Sequence, residues 1–377
     1  MKVVQAYKKA NTNWSYYQDK IMLNNPLVLV FGNRYLLEDP NIIADIRKEF
    51  PYEHLVFGSS SGEIICCNVN DETISVSAIE FEKSTFVIEN ENVIDYNKDA
   101  KQLGEVLYNK IPKDNLKHLF VLSEGSFVNG SSLINGLESA IDSSISITGG
   151  MCGDDDRFEK TVAGYKENPK EGEVVLIGFY GKSLEISYAN YGGWVSFGPE
   201  RVITKSEANI LYEIDGQPAL DLYKKYLGDK SKELPQASLL YPLNVTPAEK
   251  SEPVVRTILN INNEDQSMIL AGDAPVNSRV QLMMASVDGI AEGAQKAAIC
   301  AMKDRENPPE IAILVSCIGR KLVMNQRVEE EVEQVRDVIG EKIPMTGFYS
   351  YGEMAPFNGS KSCELHNQTM TLTLISE

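Results

Sequence analysis

A glycine-bounded turn occurs three times in this chain. It reads Gly58-Ser59-Ser60-Ser61-Gly62-Glu63, then Gly149-Gly150-Met151-Cys152-Gly153-Asp154. The third copy, one residue longer, is Gly347-Phe348-Tyr349-Ser350-Tyr351-Gly352-Glu353. Each copy closes a strand–helix–strand pattern and ends on a carboxylate. Phe31 to Gly58 and Leu122 to Gly149 both span 27 positions, and Val315 to Gly347 spans 32. Spacing of this kind marks one supersecondary unit used repeatedly. Three such loops can line one site. Glycine in turns is common, however, and solvated acids on simple turns give the same pattern.

The units are legible from their periodicity. Leu27–Phe31, His54–Phe57, Leu119–Leu122, Ser144–Thr148 and Ile311–Val315 read as strands. Between them, Ile42, Ile43, Ile46 and Phe50 share a helical face, as do Leu133, Leu137, Ala140 and Ile141, and Val328, Val332, Val335 and Ile339. Ser131 or Ser132 is placed to cap the second of these helices. Further helices are expected over Asp99–Lys110, Ala219–Leu227 (opened by Pro218) and Val287–Lys303. Thr73–Ser77, Ile210–Ile214 and Val280–Ala285 alternate like strands. Glu173–Tyr180 and Leu184–Tyr188 read as a hairpin turned at Gly181-Lys182. A turn over Pro356–Gly359 precedes a last strand carrying Met370, Leu372 and Leu374.

At 377 residues two domains are expected, with a boundary between Lys205 and Gln217, giving 1–205 and 206–377. The formal charge of −18 and the absence of a basic stripe argue against nucleic acid and against anionic membrane surfaces. No apolar run is long enough to span a membrane, and no signal-peptide core opens the chain, so a cytoplasmic protein is expected. The six cysteines form no Cys-x-x-Cys pair and read as small buried residues of a reducing compartment.

No Walker A, Gly-x-Ser-x-Gly or His-Glu-x-x-His signature is present, and Gly149-Gly150 does not fit a dinucleotide fingerprint. Candidate ligand-binding residues therefore come from the loops. They are Ser59, Ser60 and Glu63 from the first, and Gly149, Gly150 and Asp154 from the second. Tyr349, Tyr351 and Glu353 come from the third, where two aromatic rings and a carboxylate can enclose a small cation. Ser123 and Asn129 follow a leading strand, where α/β sheets commonly bind ligands. Asp154-Asp155-Asp156 reads as a solvated turn sooner than a divalent-cation site. Arg256, on an apolar strand, can meet a ligand carboxylate or an internal acid. His54 and His118 read as structural. His366 stands with Asn367 in the polar run Glu364–Thr369, as a ligand partner or an axial ligand to haem iron.

Several separated motifs resemble the FIST family, a sensory module with N- and C-terminal parts. Leu119–Ser123 with Asn129-Gly130, and Thr148–Gly150 with Gly153-Asp154, suggest the N-terminal part. Tyr212–Ala219, Leu270-Ala271-Gly272-Asp273, Gly347–Glu353 and Leu365–Met370 suggest the C-terminal part. The resemblance runs from about Pro26 onward. It implies a sensor of small ligands, with amino acids as the proposed class, acting on signalling partners. Some relatives are haem-based nitric-oxide sensors that act on a histidine kinase in trans, but no haem-ligand histidine can be matched here. The resulting expectation is an α/β protein of two similar halves, each a mixed sheet flanked by helices. It would bind a small molecule, have no catalytic residues and signal through a partner such as a histidine kinase. The alternatives are a haem sensor or a small-metabolite enzyme using His366 and Glu353 as an acid–base pair.

Overall fold

The computed structural model describes residues 1–142, 144–248, 252–357 and 360–377. The expected turn over Pro356–Gly359 includes Asn358 and Gly359, which lie outside the described residues.

The chain is mixed α/β, and its glycine-loop units are three copies of one five-strand plan. The first comprises β1 (Lys2–Lys9), β2 (Leu27–Gly32), α1 (Pro40–Glu49), β3 (His54–Ser59), β4 (Glu63–Ile65) and β5 (Thr73–Glu80). The second comprises β6 (Thr85–Asn92), α2 (Ala100–Lys110), β7 (Leu116–Ser123), α3 (Gly130–Glu138), β8 (Ser146–Met151), β9 (Ala163–Tyr165) and β10 (Glu173–Tyr180). The third comprises β11 (Glu185–Tyr191), α4 (Val287–Met302), β12 (Ile311–Cys317), α5 (Glu329–Ile339), β13 (Met345–Ser350), β14 (Gly352–Pro356) and β15 (Met370–Ser376). In each unit the two strands flanking the crossover helix pair in parallel: β2 with β3, β7 with β8, β12 with β13. The strand that follows the glycine loop leaves its own unit. β4 pairs with β13, β9 with β3, and β14 with β8. The sheets therefore run β9-β3-β2-β5-β1, β14-β8-β7-β10-β6 and β4-β13-β12-β15-β11, each including a strand from another unit and each having a sixth short strand: Ser15–Tyr16 beside β1, Cys363–His366 beside β14 and Asn68–Asn70 beside β4.

Strand alternation explains how the three sheets meet. Leu27, Leu29 and Phe31 point into a central core with Phe120 and Leu122 of β7 and Ile313 and Val315 of β12. Phe31 stacks on Phe348 of β13 at 4.6 Å between centroids. The intervening residues face outward onto helices. Val28 and Val30 meet Ile43 and Ile46 of α1, and Leu119 and Val121 meet Leu103 and Leu133 of α2 and α3. Ala312 and Leu314 meet Val332 and Val335 of α5. With both faces covered, these strands read as unbroken apolar runs, as parallel pairs do. Asp39 caps α1, with Pro40 in its first turn, and Asp99 caps α2.

Two local expectations are corrected. Glu173–Tyr180 and the following strand do not form a hairpin. The chain leaves the second sheet at Gly181, and β11 instead pairs with β15 of the third. The cap of α3 is Asn129, whose side chain accepts from Ser132 N; Ser131 and Ser132 already lie within the helix.

Between β11 and α4 lies an insertion with its own sheet. Its strand order is Val254–Arg256, Leu243–Thr246, Arg279–Met284, Val195–Glu207, Ile210–Ile214, Ser267–Leu270 and Ile258–Asn262. Helix Ala219–Leu227 closes a separate core around Leu211, Tyr223, Leu243 and Met268. The expected boundary near Lys205–Gln217 falls inside this fourth sheet. Among the described residues, no helix is long and apolar enough to cross a membrane.

The three glycine loops close on one another. Gly153 N donates to Ser59 O at 2.9 Å, Ser61 N to Tyr349 O at 2.9 Å, and Tyr351 N to Met151 O at 3.1 Å. In every loop one carbonyl accepts and the amide two positions on donates, so the bonds form a closed ring. A Cβ on Gly153 would lie 2.3 Å from Ser61 Oγ, 2.9 Å from Ser61 N and 3.0 Å from Tyr349 O. Gly153→Ala should therefore lower stability by about 1–3 kcal/mol through overpacking against backbone. Urea midpoints would measure this; an unchanged midpoint would mean that the ring yields without cost.

Candidate functional site

The carboxylates that end the loops are buried, and each is held by its own neighbours. Glu63 accepts from Ser60 Oγ at 2.5 Å, from Thr73 N at 3.3 Å and from the Thr73 hydroxyl. Glu353 repeats the arrangement, accepting from Ser350 Oγ at 2.6 Å and from Thr369 N and Oγ1 at 3.0 and 2.9 Å. Asp154 instead meets cations: Arg34 Nε at 2.9 Å and Arg157 Nη2 at 2.7 Å. The loops thus converge through their backbones, while their carboxylates brace three separate turns. Ser59 takes part in this bracing, its Oγ accepting from Val162 N. Gly149 is tied to its position by a φ of +150° and by Val121 O, 2.0 Å from where a Cβ would stand. Gly150 packs against Val315. Tyr349 is buried and donates to Glu331 at 2.5 Å. Ser123 Oγ donates to the carbonyl of Glu124.

One cavity gathers two of the expected residues, Asn129 and Tyr351. It has a volume of about 520 Å³ and lies where the insertion meets the three-unit body. The body contributes Gly125, Asn129, Gly130, Met151 and Tyr351; the insertion contributes Asn209, Asn260, Ala271 and Gly272. Tyr351 stacks on Phe158 with centroids 4.4 Å apart, and its hydroxyl donates to Asp155 O at 3.1 Å. The wall Gly125–Asn129 is shaped by Glu124, a buried acid whose oxygens accept from Ser126 N at 2.6 Å and Phe127 N at 2.7 Å. The cavity sits beyond the carboxyl end of β7, the position expected for a ligand on an α/β sheet. Glu63, Asp154 and Glu353 are not among its lining residues. A depression of about 570 Å³ around Lys83, Asn115, Tyr180 and Lys182 lies on the outside and includes none of the expected site residues.

Arg256 lies on the same interface but lines a second cavity, of about 400 Å³. His366 is buried against Phe357, and its Nε2 is within hydrogen-bond distance of Ala355 O at 3.0 Å. It lines neither interface cavity. Asn367 Oδ1 accepts from Thr257 N at 3.3 Å, which ties the third unit to the insertion. His118 is buried between the hydroxyls of Ser146 and Thr148, and burial pushes its pKa down to about 3, so it stays neutral. Asn209, Asn260 and Phe158 were missed because an irregular loop or a lone polar residue on a strand carries no signature. Asp273 was visible within Leu270–Asp273, but only as part of a motif.

The fold is a three-unit body joined to an insertion, with two cavities at their interface. The FIST N domain matches residues 26–217 and the FIST C domain residues 219–356, so the chain belongs to the FIST family. FIST domains are small-ligand sensory domains of signal transduction. No match was found among curated proteins. Among solved structures, the crystal structure of a chorismatase matches with a TM-score of 0.34 at 7% identity, covering 100% of this chain and 98% of that one. A likeness that distant carries no argument about function.

The buried acids make the loops sensitive to pH. Burial raises the Glu63 pKa to about 8 and that of Glu353 to about 7, with their hydroxyl partners opposing the shift. An acid whose folded pKa is raised binds more protons folded than unfolded. Its contribution is fully present below the unfolded value of about 4.5 and is lost as pH rises toward 8. Glu63→Gln should therefore gain melting temperature relative to the parent between about pH 5 and pH 8.5. A difference independent of pH would show that Glu63 is ionised throughout.

Proposed function

We propose that this protein senses a free amino acid held between the insertion and the three-unit body, and that it signals through a partner protein such as a histidine kinase. The observation that supports this reading is the 520 Å³ cavity, whose walls come from both parts. A volume of that size suits a small metabolite. A ligand there touches Asn129, Gly130 and Tyr351 on one side and Asn260 and Gly272 on the other, so it favours whichever arrangement of the two parts gives it both sets of contacts. Differential contact of this kind is what allows a ligand to shift a conformational equilibrium. The backbone amides at the start of α3, together with the ring face of Tyr351, supply polar and aromatic recognition without a catalytic group.

The test is a thermal-shift screen of the purified protein against the free amino acids. A ligand at 100 times its Kd adds about 2.7 kcal/mol of stability, a rise of several degrees. Asn260→Trp, at an exposed position on the insertion, should abolish that rise while leaving the unliganded melting temperature unchanged. A rise that persists in Asn260→Trp would move the ligand out of this cavity. A screen in which no amino acid gives a rise would overturn the amino-acid reading.

A further inference from the structure

The smaller interface cavity holds an arginine that, among the described residues, bonds no carboxylate directly. Arg256 is 4% exposed, yet among the described residues no carboxylate lies within ion-pair distance of it. Its guanidinium is positioned by backbone carbonyls alone: Nε donates to Asp273 O at 2.9 Å, and Nη1 to Leu365 O at 2.7 Å and Val255 O at 3.4 Å. Nη2 donates to no group among the described residues. Gly272, with a φ of +151°, lies so close that a Cβ there would stand 3.0 Å from the guanidinium carbon. Burial lowers the Arg256 pKa to about 10, so the group remains cationic at neutral pH.

The direct hydrogen bonds of this buried arginine all go to neutral carbonyls, and Asp273 acts on its charge through space without bonding it, so the group can take a further acceptor. The cavity beside it, of about 400 Å³, is large enough for such a group. Asp273 lines the same cavity, and its Oδ1 is buried without a hydrogen-bond partner among the described residues. Glu364 is a second acid on the wall and has a partner of its own. One cation beside two acids disfavours a plain anion. It favours a molecule whose carboxylate meets Arg256 and whose neighbouring donor meets Asp273. Because Arg256 Nε bonds the backbone of Asp273, both charges belong to adjoining walls, and the donor must sit close to the ligand carboxylate. Ile134, Val254, Val276 and Leu365 supply an apolar side for a short hydrocarbon tail.

We propose that the Arg256–Asp273 cavity is the charge-recognising site of this sensor. It takes a small carboxylic acid that carries a hydrogen-bond donor, ammonium or hydroxyl, beside the carboxylate. This rests on the reading that the insertion–body interface is where ligand binds, and it moves head-group recognition from the larger cavity to the smaller one, which shares the wall residue Leu365 with it. A carboxylate on Nη2 forms a charge-assisted bond in a site sheltered from water, the setting in which such bonds are strongest.

The experiment is titration calorimetry of the full chain with four molecules of one carbon skeleton: leucine, its 2-hydroxy analogue, 4-methylpentanoate and isoamylamine. The expected order is leucine and the hydroxy acid above the plain acid, with no binding of the amine. Arg256→Lys should weaken the acids about tenfold or more. Asp273→Asn should weaken leucine more than the plain acid. If Arg256→Lys does not fold, Asp273→Asn decides, because it keeps the shape of the residue and changes only its charge. Equal affinities for all four molecules, or no binding of any, would overturn the proposal. So would leucine binding that both variants leave intact. In that last case, loss of binding in Asn260→Trp would show that the sensor reading stands with its ligand in the larger cavity.

Discussion

The ring of three cross-loop hydrogen bonds, Gly153 to Ser59, Ser61 to Tyr349 and Tyr351 to Met151, is the constraint on which the rest of the molecule depends. Each loop hands its outgoing strand to the sheet of another unit. Each sheet is thereby extended on one side by a strand from another unit. No unit completes its own sheet. The central core of Phe31, Phe120, Ile313 and Phe348 is shared by all three in the same way. Buried acids at the loops serve this closure: Glu63 and Glu353 bind hydroxyls and amides of their own turns, and Asp154 is clamped by Arg34 and Arg157.

The insertion is attached to this frame at a tightly governed point. The chain passes through Gly192-Gly193 as it leaves β11, and a Cβ on Gly193 would lie 2.1 Å from Gly289 O at the start of α4. Arg320, fully buried, reaches both connections, donating to Gly192 O and, at 3.0 Å, to Ile290 O. It is ion-paired with Glu331 at 2.7 Å, and Glu331 accepts from the Tyr349 hydroxyl of the third loop. A continuous set of bonds therefore runs from the ring to the place where the insertion enters and leaves. The interface cavities lie between the same two parts. That arrangement gives a ligand at the interface a physical means of biasing how the parts sit, which is the requirement for a sensor.

The repeat was legible from its glycines, which answer to different neighbours: Gly153 touches the backbone of the other loops at Ser61 N and Tyr349 O, whereas Gly149 and Gly347 lie against Val121 O and Leu314 O of the adjoining strands. The parallel pairs were equally plain, since strands covered on both faces lose their polar alternation. Glu173–Tyr180 and Glu185–Tyr191 looked like a hairpin because Gly181 marks a turn. Whether the chain turns back or moves on to the next sheet depends on partners more than a hundred residues away, such as Met370–Ser376. The loop acids were visible as acids, but their direction was not. Burial and a serine three positions earlier, as in Ser60–Glu63 and Ser350–Glu353, turn them inward. Arg256 stood out as a charge on an apolar strand, and among the described residues it bonds no carboxylate directly. Asn260 and Asn209 were not legible, since an isolated polar residue gains its meaning only from the wall opposite.

Hydrogen–deuterium exchange on the full chain, with and without the amino acid that gives the largest thermal shift, tests the central claim most directly. If ligand is held between the two parts, protection should rise together in 125–130 and 257–260 and in 270–273, on both sides of the interface. Protection confined to one side, or centred on the outer depression near Tyr180–Lys182, would contradict the account.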